Sequence, residues 1–233
     1  NFIWYYLIGV IVLLNYFNIH KTRYVHLHAA DKVGFLSALF KDVIGYKLLY
    51  TEHWAIFNND VEDRYERRNY WFQFYFRKVW EKTDLFLSIS NTLYQSMSEV
   101  FSEPKEFILV PNVLDRVFED DIVAFPIKSG DINSLQVKLL HISNFEKRKN
   151  IPVIINAFQC FRKEFPQARL SLVGGDLINS NELDLTSVFI YPNLPVENLI
   201  AHYRNSDVFV MYSEAENAPC VITEALSYGL PVI

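Results

Sequence analysis

The feature that most constrains this chain is its alternation of short apolar runs with longer stretches of helical spacing. RYVHLHAA (23–30), YKLLYTEH (46–53), TDLFLSIS (83–90) and EFILVPNVLD (106–115) each contain an apolar run closed by turn residues. DKVGFLSALFKDVIG (31–45) lies between the first two and reads as a helix, with Asp31 as N-cap and Gly45 as its stop. The series restarts with the strand VKLLHIS (137–143) and the helix NIPVIINAFQCFRKEFP (150–166), followed by ARLSLVGGD, SVFIYPNLP, VENLIAHYRNS and DVFVMYS. Strands separated by helices of this length can pair only through crossovers, so the chain is expected to be α/β with parallel sheets. Two such series imply two domains, at 1–115 and 137–233. The segment RVFEDDIVAFPIKSGDINSLQ (116–136), mixed in acids with Pro126 and Gly130, reads as the interdomain linker.

Within the first series, Trp71, Phe72, Tyr75, Phe76, Val79 and Trp80 recur on one stripe of a helix read near 64–82. Arg67, Arg68, Arg77, Lys78 and Lys82 surround it. The stripe is expected to face the core, with a solvated basic side; contact with lipid headgroups is the alternative. The opening NFIWYYLIGVIVLLNYFNI carries no charge through Ile19. Residues 2–19 are at the lower edge of a membrane span, and Asn15 and Asn18 within them favour a buried or surface-seated helix; both readings stay open. With Asn as residue 1 and a strand-like PVI at the end, the chain is expected to be cut at both ends.

Composition matters for what it excludes. A net charge of −5 gives no reason to expect nucleic acid as a partner. The only two cysteines, Cys160 and Cys220, make neither a disulfide framework nor a zinc ligand set, and point to a reducing cytosol. His26 and His28 share a strand face and could hold a metal with Asp31, although a structural or cleft-lining pair is the plainer reading.

The final segment ENAPCVITEALSYGLPVI carries the chemistry. Pro219 fits the first turn of a helix, Asn217 its N-cap, Gly229 its C-terminal stop, and Pro231 prevents continuation, which gives a helix at about 218–228. The free amides at its start, on residues such as Cys220 and Val221, form an anion site. Glu224 lies roughly 7.5 Å into the helix with its side chain leaning back toward the anion, placed to accept two hydrogen bonds from a vicinal diol. Glu216 lies on the loop at the other side. Diphosphate between them, ribose at Glu224 and a sugar near Glu216 would make a nucleotide-sugar site. HISNFEKRKN (141–150) agrees: it runs from a strand end to a helix start and sets Lys147, Arg148 and Lys149 at the edge where open α/β sheets bind ligands.

These segments, with VHLHAADKVGFLSALF, LLYTEHW, SISNTL, VPNVLD and LVGGD, resemble the glycosyltransferases of the fourth sequence family. The resemblance implies the GT-B fold, with two Rossmann-like domains, both incomplete here. It also implies transfer with retention of configuration and no metal or other cofactor. Glu224 would hold the ribose hydroxyls, and Glu216 would contact the transferred sugar. The amides around Ala218, Cys220 and Val221 would hold the diphosphate, and Lys149 would neutralise the departing phosphate. His53 would face the donor sugar. Asn144 stands at the donor-binding position where the family has arginine, and Pro192 where it has glycine. The expected partners are a UDP- or GDP-sugar and a glycan or glycolipid acceptor, with peripheral contact at the cytoplasmic membrane face. The expected role is surface polysaccharide or glycolipid assembly. The alternative is an inactive relative that binds or scaffolds, a reading supported by Asn144.

Overall fold

The computed structural model describes residues 8–12, 14–17, 21–30, 32–58, 61–124, 136–175 and 183–233. Its contacts divide the chain into two units, residues 1–111 and 112–233.

In the first unit, β1 (Tyr24–His28), β2 (Lys47–Thr51), β3 (Leu85–Ser88) and β4 (Phe107–Leu109) form a parallel sheet in chain order. The crossovers are α1 (Lys32–Ile44), α2 (Tyr70–Lys82) and α3 (Asn91–Phe101). Gly45 ends α1 as expected, in the left-handed region (φ 85°) with its amide on the Lys41 carbonyl. Asp31 lies outside the described residues. The helix expected from 64 starts later: residues 65–67 form a 3₁₀ turn, and the Asn69 side chain caps α2 by accepting from the Phe72 amide at 3.0 Å. On the aromatic stripe Phe76, Val79 and Trp80 are buried, whereas Trp71 is 61% exposed. Trp80 packs between Phe86 and Phe101, with Phe57 and Tyr65 around the same Phe101 ring. Residues 8–12 and 14–17 are helical, and Phe17 packs on Tyr46. No helix of the described residues is long and apolar enough to cross a membrane.

The second unit holds α4 (Arg116–Ala124), β5 (Lys138–Ile142), α5 (Ile151–Arg162), β6 (Arg169–Val173), β7 (Val188–Tyr191), α6 (Val196–Arg204), β8 (Val208–Phe209) and α7 (Cys220–Ser227). The sheet is parallel with order β7-β6-β5-β8. Ile151, Ile154, Ile155 and Phe158 of α5 are buried on one face, as their spacing predicts, each stabilising by roughly 1.5–3 kcal/mol. The terminal PVI extends along β8 through a parallel bridge between Phe209 and Val232.

The linker reading does not hold for residues 116–124. They form a helix whose Phe118 is 2% exposed, packed edge-on against Tyr203 and Tyr228. Burial of this one large anchor, with the acids of α4 turned to other partners, makes the segment part of the second unit. Residues 125–135 lie outside the described residues.

The strand order sets the site. β6 and β8 flank β5 on opposite sides, so the connections leaving β5 and β8 diverge, and their carboxyl ends enclose the crevice where such sheets take ligands.

Candidate functional site

Two loops meet at this crevice. The first, after β5, passes through Ser143 and Asn144 into a 3₁₀ turn at Lys147–Lys149. Asn150 (φ 48°) turns the chain into α5. The second runs from β8 to α7. The Glu214 amide donates to the Arg148 carbonyl at 2.9 Å, which fixes one loop against the other.

The charges follow that backbone. Lys149 is only 7% exposed and donates through Nζ to Glu216 Oε1. Arg148 Nη1 reaches the same oxygen at 3.2 Å and the Ala215 carbonyl at 3.2 Å, while its Nε donates to Glu146 Oε2 at 2.8 Å. Two cations thus share one carboxylate oxygen, 67 and 68 positions apart in sequence. A buried ammonium is tolerable only when paired, so Glu216 and Lys149 depend on each other. Beneath them His141 is fully buried. Its Nδ1–H donates to the Val210 carbonyl at 2.8 Å and its Nε2 accepts from the Ser143 hydroxyl at 2.8 Å. Burial pushes its pKa down to about 4; the Lys149 charge adds to this, while the Val210 bond and Glu216 oppose it. The neutral ring therefore staples β5 to β8 at the switch point.

The start of α7 differs in detail from the expectation. Pro219, not Asn217, is the N-cap (φ −70°, ψ 117°), with no side-chain cap, and the helix runs from Cys220 to Ser227. The extended ψ of Pro219 keeps it out of the first turn. Asn112, from the VPN segment, donates to the Ala218 carbonyl at 2.7 Å and holds this loop. Gly229 (φ 72°) closes the helix.

Residues 126–233 match the model of the family Glycosyl transferases group 1. The match covers just under half of the chain. N-acetyl-alpha-D-glucosaminyl L-malate synthase of Bacillus anthracis is 28% identical over 163 residues, covering 66% of this chain and 42% of that protein. An uncharacterized 41.2 kDa protein in the cps region of Klebsiella pneumoniae is 22% identical over 96% of this chain and 63% of its own length. The chain thus spans about half the length of these relatives. Among solved structures, sucrose-phosphate synthase from Thermosynechococcus elongatus superimposes with a TM-score of 0.72 at 17% identity, covering 96% of this chain and 58% of that one. Anabaena HepE in complex with UDP-glucose gives 0.60 at 17% identity, covering 89% and 58%. The fold is of the GT-B type, with a Rossmann-like sheet in each unit.

Within the matched segment, Glu216 and Lys149 come together at the ends of β5 and β8, and Ala218 follows in the same loop as Glu216. Cys220 and Val221 open α7. Glu224 stands on the same helix, half-buried, with Oε2 accepting from the Tyr203 hydroxyl at 2.6 Å. Burial raises its pKa, and the Tyr203 bond opposes that shift. Asn144 is exposed and donates to Glu146 Oε1 at 2.7 Å, and the cation that joins Lys149 on Glu216 is Arg148.

In the first unit, His53 follows β2, and His28 Nδ1 lies 3.4 Å from its Nε2, the rings stacked at 5.7 Å. The loop carrying His53 is built on Glu52, which is fully buried. Glu52 Oε1 accepts the amides of His53 (2.7 Å) and Trp54 (2.9 Å). Its Oε2 accepts the Ala30 amide (3.3 Å) and the Tyr50 hydroxyl. Four donors around one carboxylate explain the acid in TEHW. His26 is bonded instead to Thr51 Oγ1 at 2.9 Å. Among the described residues no group of His, Cys, Asp and Glu is arranged to hold a metal ion, and Asp31 lies outside them. Sequence reasoning passed over Glu52, Asn112, His141 and Tyr203. All four lie within segments quoted above, TEHW, VPNVLD, HISNFEKRKN and VENLIAHYRNS, but nothing local marks their partners.

Proposed function

We propose that the protein moves a sugar from a nucleotide-diphosphate donor, UDP- or GDP-linked, to a hydroxyl acceptor, with retention and with no metal needed at the donor phosphates. The observation that carries this reading is the buried Lys149, paired with Glu216 at the carboxyl edge of the second sheet beside the start of α7. In the proposed reaction the bond from the sugar's anomeric carbon to the diphosphate breaks and its electron pair leaves with the phosphate. Lys149, Arg148 and the amides of Cys220 and Val221 offset that charge. The acceptor oxygen bonds to the anomeric carbon and passes its proton to the departing phosphate oxygen. Glu216 contacts the transferred sugar, Glu224 the ribose hydroxyls, and His53 the donor sugar.

The proposal extends to place. A relative encoded in a cps region supports surface polysaccharide or glycolipid assembly. Exposed Ile8, Ile11, Val12, Tyr70 and Trp71 in the first unit support contact with the cytoplasmic membrane face.

The test is transfer and donor hydrolysis by the full-length protein on a panel of nucleotide sugars. Glu216→Ala should lower kcat at least about 100-fold, the scale of losing a charge-stabilising group. It should leave diphosphate binding intact or tighter, because both cations are released. His53→Ala should also slow transfer. Variants as active as the parent would remove both residues from the site.

A further inference from the structure

The structure assigns Tyr203 as a positioning residue that holds Glu224 in a single orientation and so sets the preference for a ribose diol, an inference that rests on the proposed role of Glu224. Tyr203 reaches Glu224 from α6, 21 positions away, and its hydroxyl bond to Oε2 is 2.6 Å long. It is the only hydrogen bond made by this carboxylate among the described residues, so Oε1 is left as the acceptor for a ligand.

Tyr203 itself is clamped. Its ring is fully buried and lies flat on Tyr228, with centroids 5.4 Å apart and planes 5° from parallel. Phe118 closes its edge. The Tyr228 hydroxyl donates to Asp121 Oδ2 at 2.8 Å, and Arg204 Nε donates to the same oxygen at 2.9 Å. Three helices, α4, α6 and α7, thus converge on one phenol. A glutamate side chain alone would sample several rotamers; the phenol removes that freedom before a ligand arrives. The scaffold acts through the Glu224 carboxylate, so its effect should fall on the sugar hydroxyls of the nucleoside.

The experiment uses the full-length protein and calorimetric titration. UDP and GDP are titrated first, and the tighter one is compared with its 2′,3′-dideoxy form. The ratio of the two affinities reads the diol contact alone. Wild type should favour the ribonucleotide by about 10- to 100-fold, the scale of hydrogen bonds to a charged group. Tyr203→Phe, which keeps the ring and its stacking, should reduce the ratio about 3- to 10-fold and leave dideoxynucleotide affinity unchanged. Glu224→Ala should abolish the preference. If Glu224→Ala keeps it, the role of Glu224 is wrong. If Glu224→Ala abolishes it and Tyr203→Phe keeps the full ratio, only the assignment of Tyr203 fails. Equal loss of both nucleotides in Tyr203→Phe also overturns the assignment, because it shows general damage.

The pH dependence gives a second readout. Glu224 is faced by Tyr203 from α6, Asp115 from the segment before α4, Cys220 at the start of its own helix and Tyr228 at the end. Of these, Tyr203 alone favours the ionised carboxylate. Its removal should shift the acid loss of the ratio to higher pH. An unmoved midpoint contradicts the assignment.

Discussion

At the scale of single residues, the site is held by buried polar groups that satisfy one another. His141 makes a testable case. Its folded pKa, pushed down from 6.5 to about 4 mainly by burial, means that the unfolded chain binds a proton more readily between those values. The neutral ring therefore contributes stability that is complete above pH 6.5 and is lost as pH falls toward 4. The full contribution is about 3 kcal/mol. Urea denaturation at pH 7 and pH 4.5 should show wild type losing most of that, and His141→Asn, although less stable at pH 7, should show a flatter dependence. Equal slopes would mean that His141 does not titrate in this range.

At the scale of elements, strand ends and loop crossings decide where the functional groups stand. Gly174, at the end of β6, has φ 111°, and a Cβ there would sit 2.2 Å from the Ser143 carbonyl oxygen. Its amide donates to the Tyr191 carbonyl at 3.1 Å, so the glycine brings the ends of β5, β6 and β7 together. Gly174→Ala should cost at least about 2 kcal/mol through strain and clash, read as a lower urea midpoint. Asn112 acts on the loop before α7. Asn112→Ala removes the hydrogen bond to Ala218, worth about 0.5–1.5 kcal/mol, and frees that carbonyl. Donor KM should rise about 2- to 10-fold with kcat nearly unchanged; a fall in kcat alone would show that the loop does not order the diphosphate position.

At the scale of the whole molecule, what was legible in the sequence was what local pattern encodes. The period of apolar residues placed α5 and the strands, and Gly229 marked the end of α7. Glu216, Glu224 and Lys149 stood out because each sits where a strand meets a helix start. Residues 116–124 were not legible as a helix. Phe118 is their single large anchor, and their acid Asp121 answers Arg204 and Tyr228, 83 and 107 positions away. Tyr203 was hidden for the same reason, since its partners Glu224, Tyr228 and Phe118 become neighbours only when three helices pack. The N-cap of α7 was misplaced because Asn217 has the right chemistry by residue type, while the backbone of Pro219 determines where the turn begins.

On the proposed function, the second unit grips a nucleoside diphosphate between the loop of Lys149 and the start of α7. A crystal structure of the full-length protein with UDP or GDP bound is the decisive measurement. The diphosphate should lie within hydrogen-bond distance of Lys149 Nζ and the amides of Cys220 and Val221, with the ribose hydroxyls on Glu224 Oε1. A nucleotide bound elsewhere, with Lys149 still closed on Glu216 and side chains filling the start of α7, would contradict it.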